Sequence, residues 1–557
     1  MSPTGRDGGS RRKRGVIPGK RSAPPRSLQW KPPRWLGIVL LCLVVLFFAL
    51  IRVRLLKIPL ERDEGVYAYA GQLILQGIPP YKLVYNMKLP GTYGAYALFL
   101  LLFGQSTTGI HLGLLLMNAA TTVMMFVLAK RLFGQLAGVA AAASFALLST
   151  GARILGLQAH ATHFVVFAAV AGLILLHRAA AAGRWYVLFL SGVMFGLAFL
   201  MKQPGLLFSV FAGIYLFYEQ WREKQHWRKQ VIRAGSLALG VVLPFALTCL
   251  VLFAAGVFHK FRFWVFNYAF AYANVVSLSE GIQNFADNVT RIIGPALGVW
   301  CLAGIGLSAF AWDRTIRKHM VFVLGLLLFS FAAVCPGLYF RPHYFILMLP
   351  AVSLLVGVGV SSATRLLSSG RFAAPLAAVP TLLLLAAFGY AISEQSAFYF
   401  EMDPNTASRW LYPTDIFPEA VPIADYIREH SPSSATVAVL GSEPEIYFYA
   451  NRHSATGYIY TFFLLEKQQF AKDMQEEMLK EIEAAKPDFL LVDQRLWLHL
   501  GSIGMDERLA WINRYVRDYN YRIIADLAIT VGGNSHLRWG DALEYRDDAD
   551  FYVLRKY

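Results

Sequence analysis

Residues 35–52 read WLGIVLLCLVVLFFALIR, and residues 61–69, a few positions further on, read ERDEGVYAY. The first string has no acidic side chain and is close to the roughly 20 apolar residues that cross a bilayer core. The second sets Glu61, Asp63 and Glu64 almost side by side just past that span. A carboxylate near a bilayer is costly and is usually there for function.

Working outward, the first pattern recurs. Eleven spans are predicted, at roughly 35–52, 109–129, 136–152, 162–177, 185–201, 204–218, 234–256, 291–311, 320–337, 343–362 and 372–392. The composition of the 557 residues agrees: 56% hydrophobic and 16% charged, against about 25% charged in a soluble chain. A string of soluble domains is excluded. Cys42, Cys249, Cys301 and Cys335 all fall in apolar stretches, so no disulfide framework is implied. The span at 35–52 is not a cleaved signal, because no small-residue cleavage site follows it.

Charge divides the chain near residue 400. The first 400 residues hold 36 basic and 10 acidic side chains, the remainder 16 and 25. Three regions follow. Residues 1–34 are a basic, disordered cytoplasmic tail with Arg11-Arg12-Lys13-Arg14 and Lys20-Arg21. Residues 35–392 are the transmembrane region, with outer loops at 53–108 and 257–290. Residues 393–557 are a water-soluble α/β domain, with strands expected at Thr436–Gly441, Phe489–Asp493 and Phe551–Tyr557 and a helix over Glu466–Lys486.

Alternate loops carry the cations: Lys130-Arg131, Arg178 with Arg184, Arg222 to Arg233, Arg314 to Lys318, and Arg365 with Arg371. By the positive-inside rule these face the cytoplasm, which leaves the C-terminal domain on the periplasmic or extracellular side. The basic balance is therefore a topology signal, and no nucleic-acid partner is expected.

Six of the acidic residues before position 401 lie on the outer side: Glu61, Asp63, Glu64, Glu280, Asp287 and Glu394. Asp63 ahead of Tyr67-Ala68-Tyr69-Ala70 also looks like a helix N-cap. Other polar groups come from separate segments to the same depth: Lys88, His160 and His163, Lys202-Gln203, and Arg341 with His343-Tyr344. Each alone reads as a snorkelling anchor. Anchors should be scarce outside, however, so a shared outward-facing polar site accounts for all of them together. Its chemistry suits a lipid-linked phosphate, with Lys and Arg holding the charge of the leaving group and a carboxylate deprotonating the attacking hydroxyl or amine. No GxxxxGK[ST] phosphate loop is present in the sequence, so the activated donor is expected to be membrane-borne.

At these residues the chain resembles the GT-C class of membrane glycosyltransferases. The resemblance is to the family that holds protein O-mannosyltransferases, lipid A aminoarabinose transferases and lipopolysaccharide galacturonosyltransferases. It rests on Asp63-Glu64-Gly65-Val66-Tyr67-Ala68-Tyr69, on Tyr85 through Gly91 with Lys88-Leu89-Pro90, and on Leu128 through Gly134. It rests also on Phe199 through Pro204, on His343 through Pro350, and on Val439-Leu440-Gly441 to Glu445-Ile446-Tyr447.

The resemblance implies an inverting glycosyltransferase of the bacterial inner membrane. It would take a sugar from a polyprenyl-phosphate carrier to a glycan, lipid or protein acceptor on the outer face, amid membrane lipid. Asp63 is then the base and Glu64 orients the acceptor. Lys88 and Arg341 hold the carrier phosphate, with Lys202, Gln203, His343 and Tyr344 around the substrate. Tyr67, Tyr69, Tyr81 and Tyr85 are either sugar-stacking rings or interfacial belt tyrosines. The chain departs from the family at His160-Ala161-Thr162-His163, where members often carry a second acidic residue. A divalent metal on Asp63 and His163 stays open on that account, and no cofactor is required by the sequence. A transporter or flippase of lipid-linked glycans is the rival from another class. It is disfavoured by the lack of internal repeats and by ionisable residues gathered at the membrane edge. A non-catalytic assembly subunit is the other.

Overall fold

The computed structural model describes residues 33–182, 184–368, 373–466, 468–495, 505–530 and 534–557. Nearly all of the expected tail, and Arg371, lie outside the described residues.

The chain opens with α1 (Arg34–Arg54), α2 (Arg62–Leu75), α3 (Pro90–Phe103), α4 (Thr107–Phe133), α5 (Gln135–Leu148), α6 (Ala161–Ala182), α7 (Trp185–Met201), α8 (Leu206–Arg222) and α9 (Trp227–Ala254). Short helices α10 (Phe258–Arg262) and α11 (Ala269–Ala273) flank a π-helical turn at Phe263–Tyr268. They lead to α12 (Leu278–Ile293), α13 (Leu297–Trp312), α14 (Met320–Val334), α15 (Leu349–Leu367) and α16 (Ala373–Ser393).

Among the described residues, eight helical stretches are long and apolar enough to cross a membrane. Every one of the eleven predicted spans falls on helix. Three fall on helices that miss the length or apolarity needed: 136–152 on α5, 185–201 on α7 and 204–218 on α8. In addition α3, placed in an outer loop by the sequence, is a short apolar helix. Its 14 residues are too few to register as a span.

Helix α15 is buried along most of its length, packed by α5 and α13. At one end of the bundle the basic loops meet. Phe133 and His177 contact the His319 ring, and Arg365 pairs with Asp313 at 2.6 Å.

The other end of the bundle carries the C-terminal domain: α17 (Pro404–Leu411), α18 (Phe417–Glu429), β1 (Thr436–Leu440), α19 (Glu445–Ala450), β2 (His453–Ser454), α20 (Phe462–Leu465), α21 (Ala471–Ala485), β3 (Phe489–Asp493), α22 (Met505–Asp518), β4 (Tyr521–Ile529), β5 (Ser535–Trp539) and β6 (Phe551–Lys556). The strands form one sheet in the order β2-β1-β3-β6-β4-β5. β1 is parallel to β2 and β3, while β6 runs antiparallel to β3 and β4. β1 and β3 are buried almost throughout, as expected of apolar runs in the middle of a covered sheet. The helix predicted over Glu466–Lys486 is shorter: α21 starts at Ala471, and Glu466 stands outside it as the C-cap of α20. The domain is fixed to the bundle through α2. Arg62 donates to Ser442 O (2.7 Å) and pairs with Asp415 (2.8 Å).

Candidate active site

Helix α2 starts at Arg62, and the residue before it closes its N-terminus. The Glu61 carboxylate accepts the backbone N–H groups of Asp63 (3.0 Å) and Glu64 (2.9 Å), and Glu64 Oε2 accepts the Glu61 N–H (3.3 Å). This is a capping box. The cap that the sequence suggested for Asp63 therefore belongs to Glu61, and the Asp63 side chain is left to face Lys88, with Nζ to Oδ2 at 3.4 Å.

Close packing seats this turn. At Gly65 a Cβ would stand 2.7 Å from the backbone nitrogen of Glu445 in α19, so only a glycine lets α2 lie on the C-terminal domain. The loop between α2 and α3 delivers Lys88. Tyr81 Oη donates to Lys88 O (2.7 Å), and Asn86 Oδ1 accepts the Lys88 N–H (3.1 Å). At Gly91 a Cβ would meet Leu200 O at 2.5 Å. Thr92 Oγ1 donates to Met201 O (2.8 Å) and Gln203 Nε2 to Met87 O (2.7 Å). The loop is thus stitched to the junction of α7 and α8, which carries Lys202.

Lys202 Nζ lies 3.7 Å from the centroid of the Tyr344 ring. The Arg341 guanidinium lies 5.3 Å from the Tyr339 centroid. Among the described residues neither cation has a carboxylate partner, although Lys202 is only 8% exposed. Asp63 and Lys88 are each 8% exposed as well. Burial alone would raise the Asp63 carboxyl, but the neighbouring cations, Lys88 foremost, overcome it and hold the group at about 2. Burial would lower the Lys88 ammonium, yet Asp63 keeps it above its ordinary value. Burial and the Lys88 charge push Lys202 well down. Burial takes His160 to about 4, which leaves a neutral imidazole.

The His160 and His343 rings stack at 4.0 Å. Asp63, His160 and His343 each offer a ligand atom within 4.8 Å of the others, and two imidazoles with a carboxylate suit zinc or manganese. His163, the imidazole singled out with Asp63 in the sequence, is not in this group. It lies near Arg52 and is bonded to the backbone of Gly156. Tyr93 Oη and His160 Nε2, both close to Asp63, are buried without a hydrogen-bond partner among the described residues. A polar ligand would satisfy them.

The other expected residues have partners of their own, and Tyr67 stays beside Lys88, whose Nζ lies 6.0 Å from its ring centroid. Glu64 is fully buried, and its Oε1 is taken by His111 Nε2 (3.0 Å) and the Ala159 N–H (2.6 Å). It ties α2 to α4 and to the segment that leads into α6. Tyr67 is 1% exposed and packs on Tyr93 and Tyr96. Tyr69 and Tyr81 are buried too. Tyr85 donates to Glu481 of the C-terminal domain (3.1 Å) and stands under Lys260 (4.3 Å). The sequence did not single out Tyr272, Tyr339 or Glu466, which lie near Arg341, or Tyr268, which is bonded to Glu466. No spacing marks them, since they come from three distant segments.

Residues 90–248 match the family model described as dolichyl-phosphate-mannose-protein mannosyltransferase. The fold is similar to that of ArnT from Cupriavidus metallidurans, solved bound to undecaprenyl phosphate, with 15% identity, 94% of this chain and 98% of that chain covered, and a TM-score of 0.58. It is also similar to the oligosaccharyltransferase AglB from Archaeoglobus fulgidus, solved with an inhibitory peptide and a dolichol-phosphate. There the identity is 11%, the coverage 91% and 74%, and the TM-score 0.53. No curated protein matches the sequence significantly. The fold is that of the GT-C class, as the resemblance implied.

Proposed function

We propose that the chain is a membrane glycosyltransferase that moves a sugar from a polyprenyl-phosphate carrier to a hydroxyl or amine of a glycan, lipid or protein acceptor, with inversion. One observation carries this reading. Asp63 faces Lys88, Lys202 and Arg341, and among the described residues only Lys88 of these three is in ion-pair contact with a carboxylate. Lys202 and Arg341 stand beside this pair without an ion-pair partner of their own among the described residues, and a phosphate monoester or diester is a ligand whose charge suits them. The matched family model bears the name of a dolichyl-phosphate-mannose enzyme, and the two similar structures hold polyprenyl phosphates.

In the proposed reaction the acceptor oxygen or nitrogen attacks the anomeric carbon from the face opposite the phosphate. The bond from that carbon to the phosphate oxygen breaks. Asp63 takes the acceptor proton, and the polyprenyl phosphate leaves onto Lys88, Lys202 and Arg341. Donor binding also prepares the base. A phosphate among the cations offsets the charges that hold Asp63 near 2, so its basicity rises as the site fills. The same phosphate favours the charged form of Lys202, which burial disfavours. With the basic loops taken as cytoplasmic, the reaction runs at the outer face of the bacterial inner membrane, beside the C-terminal domain.

The lipid that co-purifies with the protein tests the reading. Mass spectrometry should find a polyprenyl phosphate or its glycosyl ester, lost in Arg341→Ala. A wild-type preparation carrying only bulk phospholipid would argue against it. Metal dependence is a separate test. Transfer is expected to persist in EDTA, because fixed cations already supply the charge that a metal would bring to the leaving group. Loss on chelation with recovery on zinc, manganese or magnesium would instead make Asp63, His160 and His343 ligands and move the base elsewhere.

A further inference from the structure

We propose that Glu466, in the C-terminal domain, is a positioning residue that fixes Arg341 for the carrier phosphate, so that this domain completes the donor site. The inference rests on the reading of Arg341 as a phosphate ligand.

The segment leading to Arg341 is contorted. Leu338 and Phe340 adopt φ values of 56° and 45°, a left-handed backbone that bulky residues rarely take. Strain of this kind persists only where the surroundings over-determine it. Here three elements do so. Asn284 of α12 donates to Leu338 O at 3.4 Å. The Tyr272 ring of α11 stacks on Tyr339 at 4.6 Å and 13°. The Glu466 carboxylate accepts Tyr339 Oη at 3.4 Å and Tyr268 Oη at 2.8 Å. Tyr268 closes the π-helical turn at Phe263–Tyr268, a rare backbone form that is frequent at functional sites.

Both oxygens of Glu466 therefore go to tyrosine hydroxyls, and one of those tyrosines is the ring under the Arg341 guanidinium. Arg341 has no carboxylate of its own in ion-pair contact among the described residues. Its position is set by an aromatic face, and that face is set from the C-terminal domain. A plain inter-domain tether has no reason to end on the ring that holds the unpaired cation.

The test uses the full-length protein in nanodiscs with an undecaprenyl-phosphate-linked sugar. Glu466→Gln and Tyr339→Phe should each raise the donor KM by about tenfold, the effect of one lost hydrogen bond to a charged group, with kcat and melting temperature little changed. Tyr339→Phe preserves the packing if Glu466→Gln folds poorly. In an Arg341→Ala background the Glu466→Gln penalty should vanish, since groups that act through one another are not additive. A full penalty in that background, or an unchanged donor KM in both single variants, overturns the inference alone. An unchanged donor KM in Arg341→Ala overturns it together with the phosphate role on which it rests.

Discussion

Asp63→Asn lowers transfer by about 10²–10⁴-fold, the usual contribution of a general base, in a protein that folds and binds donor normally. Folding should survive because the cap of α2 is Glu61, so the α2 terminus does not depend on Asp63. Asparagine keeps the shape and still offers Lys88 an acceptor, but it takes no proton. The pH profile adds a second readout. In the free enzyme the Asp63 carboxyl is held near 2 by the neighbouring cations, so it is ionised throughout the working range and kcat/KM should show no acid limb from it above about pH 4. In the donor complex the phosphate offsets those cations and the carboxyl rises. The acid limb of kcat should therefore lie above that of kcat/KM. Wild-type turnover in a folded Asp63→Asn protein removes Asp63 from the mechanism.

Lys88→Ala and Arg341→Ala act on the donor. Each removes a charge-assisted contact worth roughly 1.5–3 kcal/mol, which corresponds to a loss of about 10- to 150-fold in kcat/KM for the polyprenyl-phosphate substrate. Acceptor saturation should hardly move. The two differ in one respect: Lys88→Ala also leaves Asp63 without its 3.4 Å partner, so its carboxyl rises and the acid limb shifts upward, whereas Arg341→Ala touches Asp63 only at long range. If either variant changes acceptor saturation alone, the phosphate role is misassigned. Steady-state kinetics with each substrate varied in turn reads both effects.

Much of the site was legible because ionisable residues at a membrane edge are rare. Asp63, Lys88, Lys202, Arg341 and His343 announced themselves as charged or titratable breaks in apolar sequence, and the structure brings them together. The spans were legible from apolar length, except where helices are short, as in α3. What local sequence could not carry was direction. His160 and His163 are three residues apart, and only the turn at the start of α6 decides that His160 faces Asp63. Glu61, Asp63 and Glu64 look alike in sequence, yet one caps the helix, one faces Lys88 and one anchors His111 and Ala159. The bond from Tyr85 to Glu481 crosses 396 positions and has no local signal. Glu466 and Tyr339 left no trace, because their contact spans 127 positions and the chain has 27 tyrosines to choose from.

The proposed reaction moves sugar from a polyprenyl phosphate to an acceptor. Purified protein in liposomes, given an acceptor-containing envelope extract and undecaprenyl phosphate carrying radiolabelled mannose, glucose or aminoarabinose, tests it directly. Label is expected in the acceptor fraction with at least one donor, together with equimolar free undecaprenyl phosphate, and neither product with Asp63→Asn. Movement of intact labelled lipid across the bilayer, with no label passed to any acceptor, would contradict it and point to a transporter.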